Sequence, residues 1–174
     1  KALAYGSGGY QVAKLLENNK VDYLGVAYTD EATELRNAGI LLPIMVLNPD
    51  LSDLSPYLEQ NIQPVIYSYE SLKKIGNQQL KIHLEFDTGM HRLGFSKEDL
   101  PQLASKLKEL NQLDIVSVFS HLAGSDDEQM NEFTKRQIVD FESICNVLKV
   151  ELDQEFICHL ANTAGIERHP QAQL

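Results

Sequence analysis

Strand-sized apolar runs alternate with amphipathic helical patterns along the whole chain, and this alternation is what most limits its fold. The run 115–119 is short and apolar enough for a buried strand, whereas Leu103, Leu107 and Leu110 recur at helical spacing. Strands that alternate with helices form parallel sheets with right-handed crossover connections. The pattern predicts strands at 23–28, 43–47, 64–67, 81–87, 115–119 and 156–160, and helices at 9–18, 29–38, 51–59, 69–74, 96–110 and 131–149. Thr29 and Ser96 are predicted to be the N-caps at the starts of the second and fifth of these helices.

Polar residues follow three of the predicted strands at the point where each strand ends: Asp87, His121 and Asn162. The carboxyl ends of parallel strands meet at one edge of the sheet, where (β/α)8 barrels carry their active sites. Open doubly wound sheets place their sites at the same edge, so the pattern by itself leaves both folds open. The segment 81–87 alternates polar and apolar residues, and in a barrel its polar face would point inward.

The first residue, Lys1, stands where a buried strand would end, and a loop containing Gly6, Gly8 and Gly9 leads from it into a helical pattern. Glycines let a backbone approach a phosphate, and a helix N-terminus offers unpaired N–H groups. An amine beside such an anion site suggests a Schiff base between Lys1 and a phosphorylated aldehyde cofactor. Glycine-rich turns are common, so on this segment alone a solvated surface lysine is the alternative.

Four segments resemble the diagnostic motifs of the alanine racemase family and occur in the same order. They are Lys1-Ala-Leu-Ala-Tyr5-Gly6, Asp87-Thr-Gly-Met-His-Arg-Leu-Gly-Phe95, Ser120-His121 and Ala161-Asn-Thr-Ala164. The resemblance covers essentially the whole chain and implies an α/β fold, a partial (β/α)8 barrel of the TIM type. The runs Tyr5-Gly-Ser-Gly8 and Ile44-Met-Val-Leu-Asn-Pro49 are most similar to racemase domains fused to a Mur ligase of peptidoglycan precursors.

The resemblance also implies an activity and a cofactor. Members of the alanine racemase family are pyridoxal 5'-phosphate-dependent isomerases that interconvert L-alanine and D-alanine for peptidoglycan synthesis. Another amino-acid racemase, such as a serine racemase, or a barrel-type decarboxylase of the same cofactor class is an alternative. A non-enzymatic pyridoxal phosphate-binding barrel is an alternative from a different functional class, and a folded remnant without cofactor is a third.

Three residues of these motifs carry the chemistry that the resemblance implies. Lys1 is the lysine that would hold the cofactor and then act as a base beside the substrate α-carbon. Tyr5 resembles the tyrosine that donates a hydrogen bond to the cofactor phosphate. Arg92 is placed beside the cofactor oxygen and the substrate carboxylate, where a charged planar fork fits two oxygens. A core tyrosine and a surface arginine in an ion pair are the alternatives for the last two.

The other implied cofactor contacts follow the later strands. His121 resembles the histidine that lies against the cofactor ring, although histidines at strand ends are also often ordinary core residues. Asn162 and Thr163 resemble residues that contact the cofactor ring and phosphate. A simple helix N-cap is the alternative for this pair.

Glu85 departs from the family pattern. The family usually has a lysine two residues before the motif aspartate, and that lysine is commonly carbamylated, which gives it a negative charge that orients the arginine. A glutamate could do the same electrostatic work unmodified, so Glu85 and Asp87 are predicted to support Arg92 from an inward-facing strand. A solvated or differently paired glutamate is the alternative. Gly89 and Gly94 are predicted to let the loop double back over the strand end.

Three expected parts of the family fold lie outside the sequence. A strand should precede Lys1 and an eighth strand should follow Asn162, so residues 1–174 are predicted to be the central portion of a barrel truncated at both ends. The base on the opposite face of the substrate belongs to a C-terminal β-domain, contributed by the partner subunit of a homodimer. The fragment alone is therefore predicted to be inactive.

Composition excludes several other functions. The net charge is −10, so nucleic acid and anionic membranes are unlikely partners. No signal-peptide pattern or spanning apolar stretch occurs, which predicts a cytoplasmic protein. The histidines form no metal-binding spacing, so no metal is predicted. Cys145 and Cys158 lie on a predicted helix and a predicted strand and are interpreted as reduced, buried thiols.

Overall fold

The strands lie side by side in the order in which they occur in the sequence, and every neighbouring pair is parallel. The computed structural model describes residues 4–174, so Lys1 lies outside the described residues. In this range the strands are β1 (Leu24–Val26), β2 (Ile44–Val46), β3 (Ile62–Ile66), β4 (Lys81–Glu85), β5 (Asp114–Phe119) and β6 (Ile157–His159). A doubly wound sheet reverses its strand order at a switch point, whereas a barrel does not. The predicted partial (β/α)8 barrel is confirmed.

In the described part of the chain, one helix precedes β1, one follows β6, and each connection between consecutive strands contains a helix. The helices are α1 (Gly9–Asn18), α2 (Thr29–Asn37), α3 (Ser55–Glu59), α4 (Tyr69–Ile75), α5 (Leu100–Glu109), α6 (Asn131–Leu152) and α7 (Thr163–Arg168). Short 3-10 turns lie at Lys97–Asp99, Glu128–Met130 and Pro170–Ala172. Within residues 4–174 none of these helices is long and apolar enough to cross a membrane.

The core lies between the sheet and these helices. Ile82 and Leu84 on β4 are fully buried in the same apolar cluster as Leu103 of α5 and Phe141 of α6. Burying apolar surface of this kind contributes about 25 cal/mol per Å². The apolar face of β4 therefore packs outward against helices, and its polar face points into the barrel, as the alternation predicts.

Two helix starts differ from their predictions. Thr29 is predicted to be an N-cap, but α2 already begins there, and the Glu31 carboxylate accepts the N–H groups of Ala27 and Tyr28 instead. The Thr29 hydroxyl forms a hydrogen bond with the Tyr57 hydroxyl, with an oxygen-to-oxygen distance of 2.6 Å. The helix predicted at 96–110 opens with a 3-10 turn, and the regular α5 begins only at Leu100.

Candidate active site

The loop that follows β4 is organised by the Asp87 carboxylate. Its Oδ1 accepts the backbone N–H groups of Gly89 at 2.8 Å and His91 at 3.0 Å, and its Oδ2 lies 3.2 Å from the His91 ring. Burial acts to raise the pKa of Asp87, but these hydrogen bonds and the His91 charge hold it below its usual value. Asp87 is therefore an ionised loop anchor rather than a group free to exchange protons.

The same loop returns to the strand from which it leaves. The Asp87 N–H donates to the Phe95 carbonyl and the Phe95 N–H donates to the Glu85 carbonyl, both at 2.9 Å. Gly94 makes this return possible, because it has φ +123° and a Cβ there would lie 2.5 Å from the Asp87 nitrogen. Gly89, with φ +132°, packs against Phe133, whose Cζ would lie 2.7 Å from an added Cβ. The predicted structural role of both glycines is confirmed.

Glu85 ends β4 inside the barrel and is 6 % exposed. Burial raises its pKa to about 6; the positive charge of Arg92 counteracts this rise, and the negative charge of Asp87 adds to it. Arg92 itself lies on the exposed part of the loop. The structure thus brings Glu85, Asp87 and Arg92 into one electrostatic group at the carboxyl end of β4. Above pH 6 the group contains two carboxylates and one guanidinium.

Asn162 is held by its own structural contacts. Its Oδ1 accepts the Gly165 N–H at 2.9 Å, which caps α7, and the Ser125 hydroxyl at 2.7 Å. Its Nδ2 donates to the Leu122 carbonyl at 3.2 Å. The N-cap that was the alternative for this residue is therefore present, and Asn162 also joins the loop after β5 to the loop after β6. Thr163 is exposed at the start of α7.

The half-buried His121 follows β5, and a residue that sequence reasoning missed holds its backbone. The Nε2 of Gln137 on α6 donates to the His121 carbonyl and to the Thr88 hydroxyl, both at 3.2 Å, and its Oε1 accepts the Ala123 N–H at 3.0 Å. Gln137 is 1 % exposed. It thus fastens the loops after β4 and β5 to α6. A glutamine among the apolar positions Ile138, Phe141 and Ile144 of a helix is the signal that could have found it.

A second missed feature is a row of polar side chains inside the barrel, one from each of β3 to β6. The His83 ring lies 2.7 Å from the Ser117 hydroxyl and 2.9 Å from the side-chain Oε1 of Gln63, and the Ser117 hydroxyl lies 3.1 Å from the His159 ring. Burial lowers the pKa of His83 to about 4 and also lowers that of His159. Both imidazoles are neutral at neutral pH.

Tyr5 lies in the loop before α1 and is 77 % exposed. With Gly8 and Gly9 it lines a cavity of about 710 Å³ between α1, β1 and α2. The first turn of α1 contains no acidic side chain, which leaves the positive end of the helix dipole without an internal counter-charge. Across the described residues, no group of three His, Cys, Asp or Glu side chains could hold a metal ion.

The sequence profile of the family described as alanine racemase, N-terminal domain, matches residues 1–174. This chain belongs to the alanine racemase N-terminal domain family. The chain is 41 % identical to the alanine racemase of Clostridium tetani over 184 residues, which covers 100 % of this chain and 47 % of that protein. The chain spans about half the length of the curated relatives it matches.

Solved alanine racemases have the same fold. The Clostridium difficile 630 alanine racemase in complex with cycloserine superposes with a TM-score of 0.88 at 34 % identity, covering 98 % of this chain and 49 % of that one. The Bacillus anthracis alanine racemase with bound L-Ala-P superposes with a TM-score of 0.80 at 29 % identity, covering 93 % of this chain and 44 % of that one. Members of the alanine racemase family are isomerases.

Proposed function

We propose that this chain is the cofactor-binding barrel of a pyridoxal 5'-phosphate-dependent alanine racemase that supplies D-alanine for peptidoglycan precursors. The loop at 87–95 supports this proposal most, because it carries Arg92 close enough to the buried Glu85 for their charges to interact. Residues 1–174 would be the central portion of the barrel. A C-terminal β-domain from the partner subunit of a homodimer would complete the site in the cytoplasm.

The donors near the carboxyl edge of the sheet suit a phosphorylated aldehyde. Arg92 offers a permanent charge in a planar fork, and Tyr5 offers a phenol donor beside the start of α1. Lys1, Tyr5, Arg92, His121, Asn162 and Thr163 are the residues that would hold the cofactor. When bound, pyridoxal phosphate would supply an electron sink for the substrate α-carbon.

Each residue of the proposed site would have its own role in the reaction of alanine. Arg92 would bind the substrate carboxylate with two parallel hydrogen bonds and so orient the α-carbon. The Lys1 amine would remove or return the α-proton on one face, and the partner subunit would serve the other face. Glu85, ionised at neutral pH, would keep the Arg92 guanidinium turned toward the site. His121 would support the cofactor ring.

Glu85→Gln is expected to lower kcat/KM for alanine about tenfold in the enzyme extended to the length of its relatives. The substitution removes the charge that orients Arg92 but keeps the size of the side chain. The stability of the Glu85→Gln protein, in contrast, is expected to rise. Because the folded pKa of about 6 lies above the ordinary 4.5, the protonated form stabilises the fold below pH 4.5, and this contribution is lost as pH rises through 6. At pH 8, Gln is therefore expected to stabilise the protein by about 2 kcal/mol.

The measurement pairs steady-state racemisation with urea denaturation at pH 8. The matched control is Glu98→Gln, an exposed glutamate at the start of the next helix, which should change neither quantity. A variant that is more stable and less active separates a positioning role from damage to the fold. Unchanged kinetics in Glu85→Gln would reject the proposed role.

The cofactor assignment is tested by adding pyridoxal phosphate, reducing with borohydride and mapping the labelled peptide. The experiment uses this chain and a version extended at both ends. We expect the label on the Lys1 amine. Racemase assays on the extended protein then test the substrate. Label on Lys1 without racemisation would favour the non-enzymatic carrier, and no selective label in the extended protein would refute the proposal.

A further inference from the structure

Both cysteines of the chain lie at one place, on the outer side of the barrel between α6 and β6. Cys145 is on α6 and is 4 % exposed, whereas Cys158 is on β6 and is half-buried. They line the same cavity of about 590 Å³, with Lys149 one helical turn after Cys145. The sequence interpretation of two reduced, buried thiols did not foresee that they would lie together, because 12 residues separate the cysteines.

The two thiols line one cavity and lie close enough to shift each other's pKa in opposite directions. Hydrogen bonding between them, followed by burial, raises the pKa of Cys145. The same hydrogen bond lowers the pKa of Cys158 against the opposing effect of burial, and Lys149 lowers it further. Cys158 is thus the more acidic and the more accessible thiol. Cys145 is a protonated neighbour within hydrogen-bonding reach.

The charges around the pair come from both elements. Lys149 forms an ion pair with Glu155 at 2.8 Å and lies 5.6 Å from the centre of the Phe156 ring, and Glu142 lines the same cavity. Phe156 and Ile157 supply apolar wall. The cavity therefore offers a thiol beside a cation, in a space that admits a small uncharged molecule.

We propose that Cys145 and Cys158 form a two-thiol oxidation site that reacts with small hydroperoxides and closes to an intramolecular disulfide. This site is separate from Glu85, Arg92 and the proposed racemase chemistry. It would covalently tie α6 to β6, the strand that leads to Asn162.

The chemistry balances with a hydroperoxide as the oxidant. The Cys158 thiolate attacks the O–O bond, which breaks; the departing oxygen takes a proton and leaves as water or alcohol, and Cys158 becomes a sulfenic acid. The Cys145 sulfur then attacks the Cys158 sulfur, the S–O bond breaks, and hydroxide leaves with the Cys145 proton as water. The thiols lose two electrons in total and the peroxide gains them.

The test treats the folded protein with hydrogen peroxide, removes the peroxide, alkylates with N-ethylmaleimide in urea so that the buried Cys145 is accessible, and measures the intact mass. The proposal expects loss of both free thiols in the monomer, the mass of one internal disulfide, and full recovery with dithiothreitol. In Cys145→Ala, Cys158 should be trapped as sulfenic acid by dimedone. In Cys158→Ala, Cys145 should stay alkylatable after peroxide. Two free thiols after peroxide, or a disulfide only between molecules, would overturn the proposal.

Two further comparisons distinguish oxidation at this folded site from non-specific oxidation of exposed thiols. In urea the internal disulfide should form several-fold more slowly than in the folded protein, because the meeting of α6 and β6 is lost; equal rates would contradict the site. Lys149→Met should slow oxidation of Cys158 several-fold. The matched control is Lys108→Met, which removes a lysine that forms an ion pair with Glu151 at 2.9 Å and does not line the cavity. Equal slowing by both substitutions would also overturn the assignment.

Discussion

Gly94→Ala is expected to destabilise the protein by about 4 kcal/mol and to abolish the proposed racemase activity of the extended enzyme. Two costs combine at this position. A backbone with φ +123° is unfavourable for any residue with a Cβ, at about 1 to 3 kcal/mol. The new Cβ would also lie 2.5 Å from the Asp87 nitrogen and 2.6 Å from the Phe86 carbonyl carbon. Both are backbone atoms of the strand end, which cannot move aside as a flexible side chain could.

Alanine substitutions at two other glycines, measured by urea denaturation, separate the cost of the positive φ from the cost of the close contact. Gly39 has φ +88° but no atom within 4 Å of an added Cβ, so Gly39→Ala should show the conformational cost alone, about 1 kcal/mol. At Gly25 an added Cβ also lies more than 4 Å from any other atom, and the backbone is not in the left-handed region. Gly25→Ala should therefore leave the free energy of unfolding almost unchanged. If Gly94→Ala lowers the free energy of unfolding no more than Gly39→Ala does, the loop can move to accommodate the Cβ, and its close contact with β4 does not require glycine.

The buried His83 is expected to make the protein sensitive to acid. Its pKa in the folded protein is about 4, against 6.5 ordinarily, because burial disfavours the imidazolium and the nearby His159 adds to this effect. A depressed pKa gives stability that is fully present above pH 6.5 and is lost as pH falls through 4. The loss amounts to about 3 kcal/mol for this one residue.

Glu85 titrates in an overlapping range with the opposite sign, so a single stability curve would hide both effects. The comparison is therefore between the parent and His83→Gln, each unfolded by urea from pH 7.5 down to pH 4. The parent should be the more stable at pH 7.5, and its advantage should shrink by about 3 kcal/mol across the series. A constant difference between the parent and His83→Gln would mean that the imidazole is not held neutral.

Much of the architecture follows from local patterns. A strand buried between helices and a barrel interior must alternate, and the segment 81–87 does so with His83 and Glu85 inward and Ile82 and Leu84 outward. Strand ends were predictable for the same reason, since polar residues appear where burial stops. Because parallel strands bring these ends to one edge, the sequence alone places Asp87, His121 and Asn162 at a common edge of the sheet.

Partners distant in the sequence were not predictable. The neighbours of His83 are Gln63 and Ser117, 20 and 34 residues away, and Gln137 reaches Thr88 across 49 residues. Hydrogen-bond partners depend on strand register and helix rotation, which no local pattern specifies. The same limit applies to Asn162, whose amide is already engaged by Ser125 and Leu122.

The order of secondary structure, the inward face of β4 and the edge that carries the motif residues were determined by the sequence alone, because each depends on whether successive side chains meet water or core. Only the tertiary structure decided between a barrel and an open sheet, by an unbroken strand order. It alone also placed Arg92 within the electrostatic reach of Glu85 and brought Cys145 and Cys158 to the same cavity. Such contacts arise from packing between elements, and their geometry exists only once the chain has closed around its core.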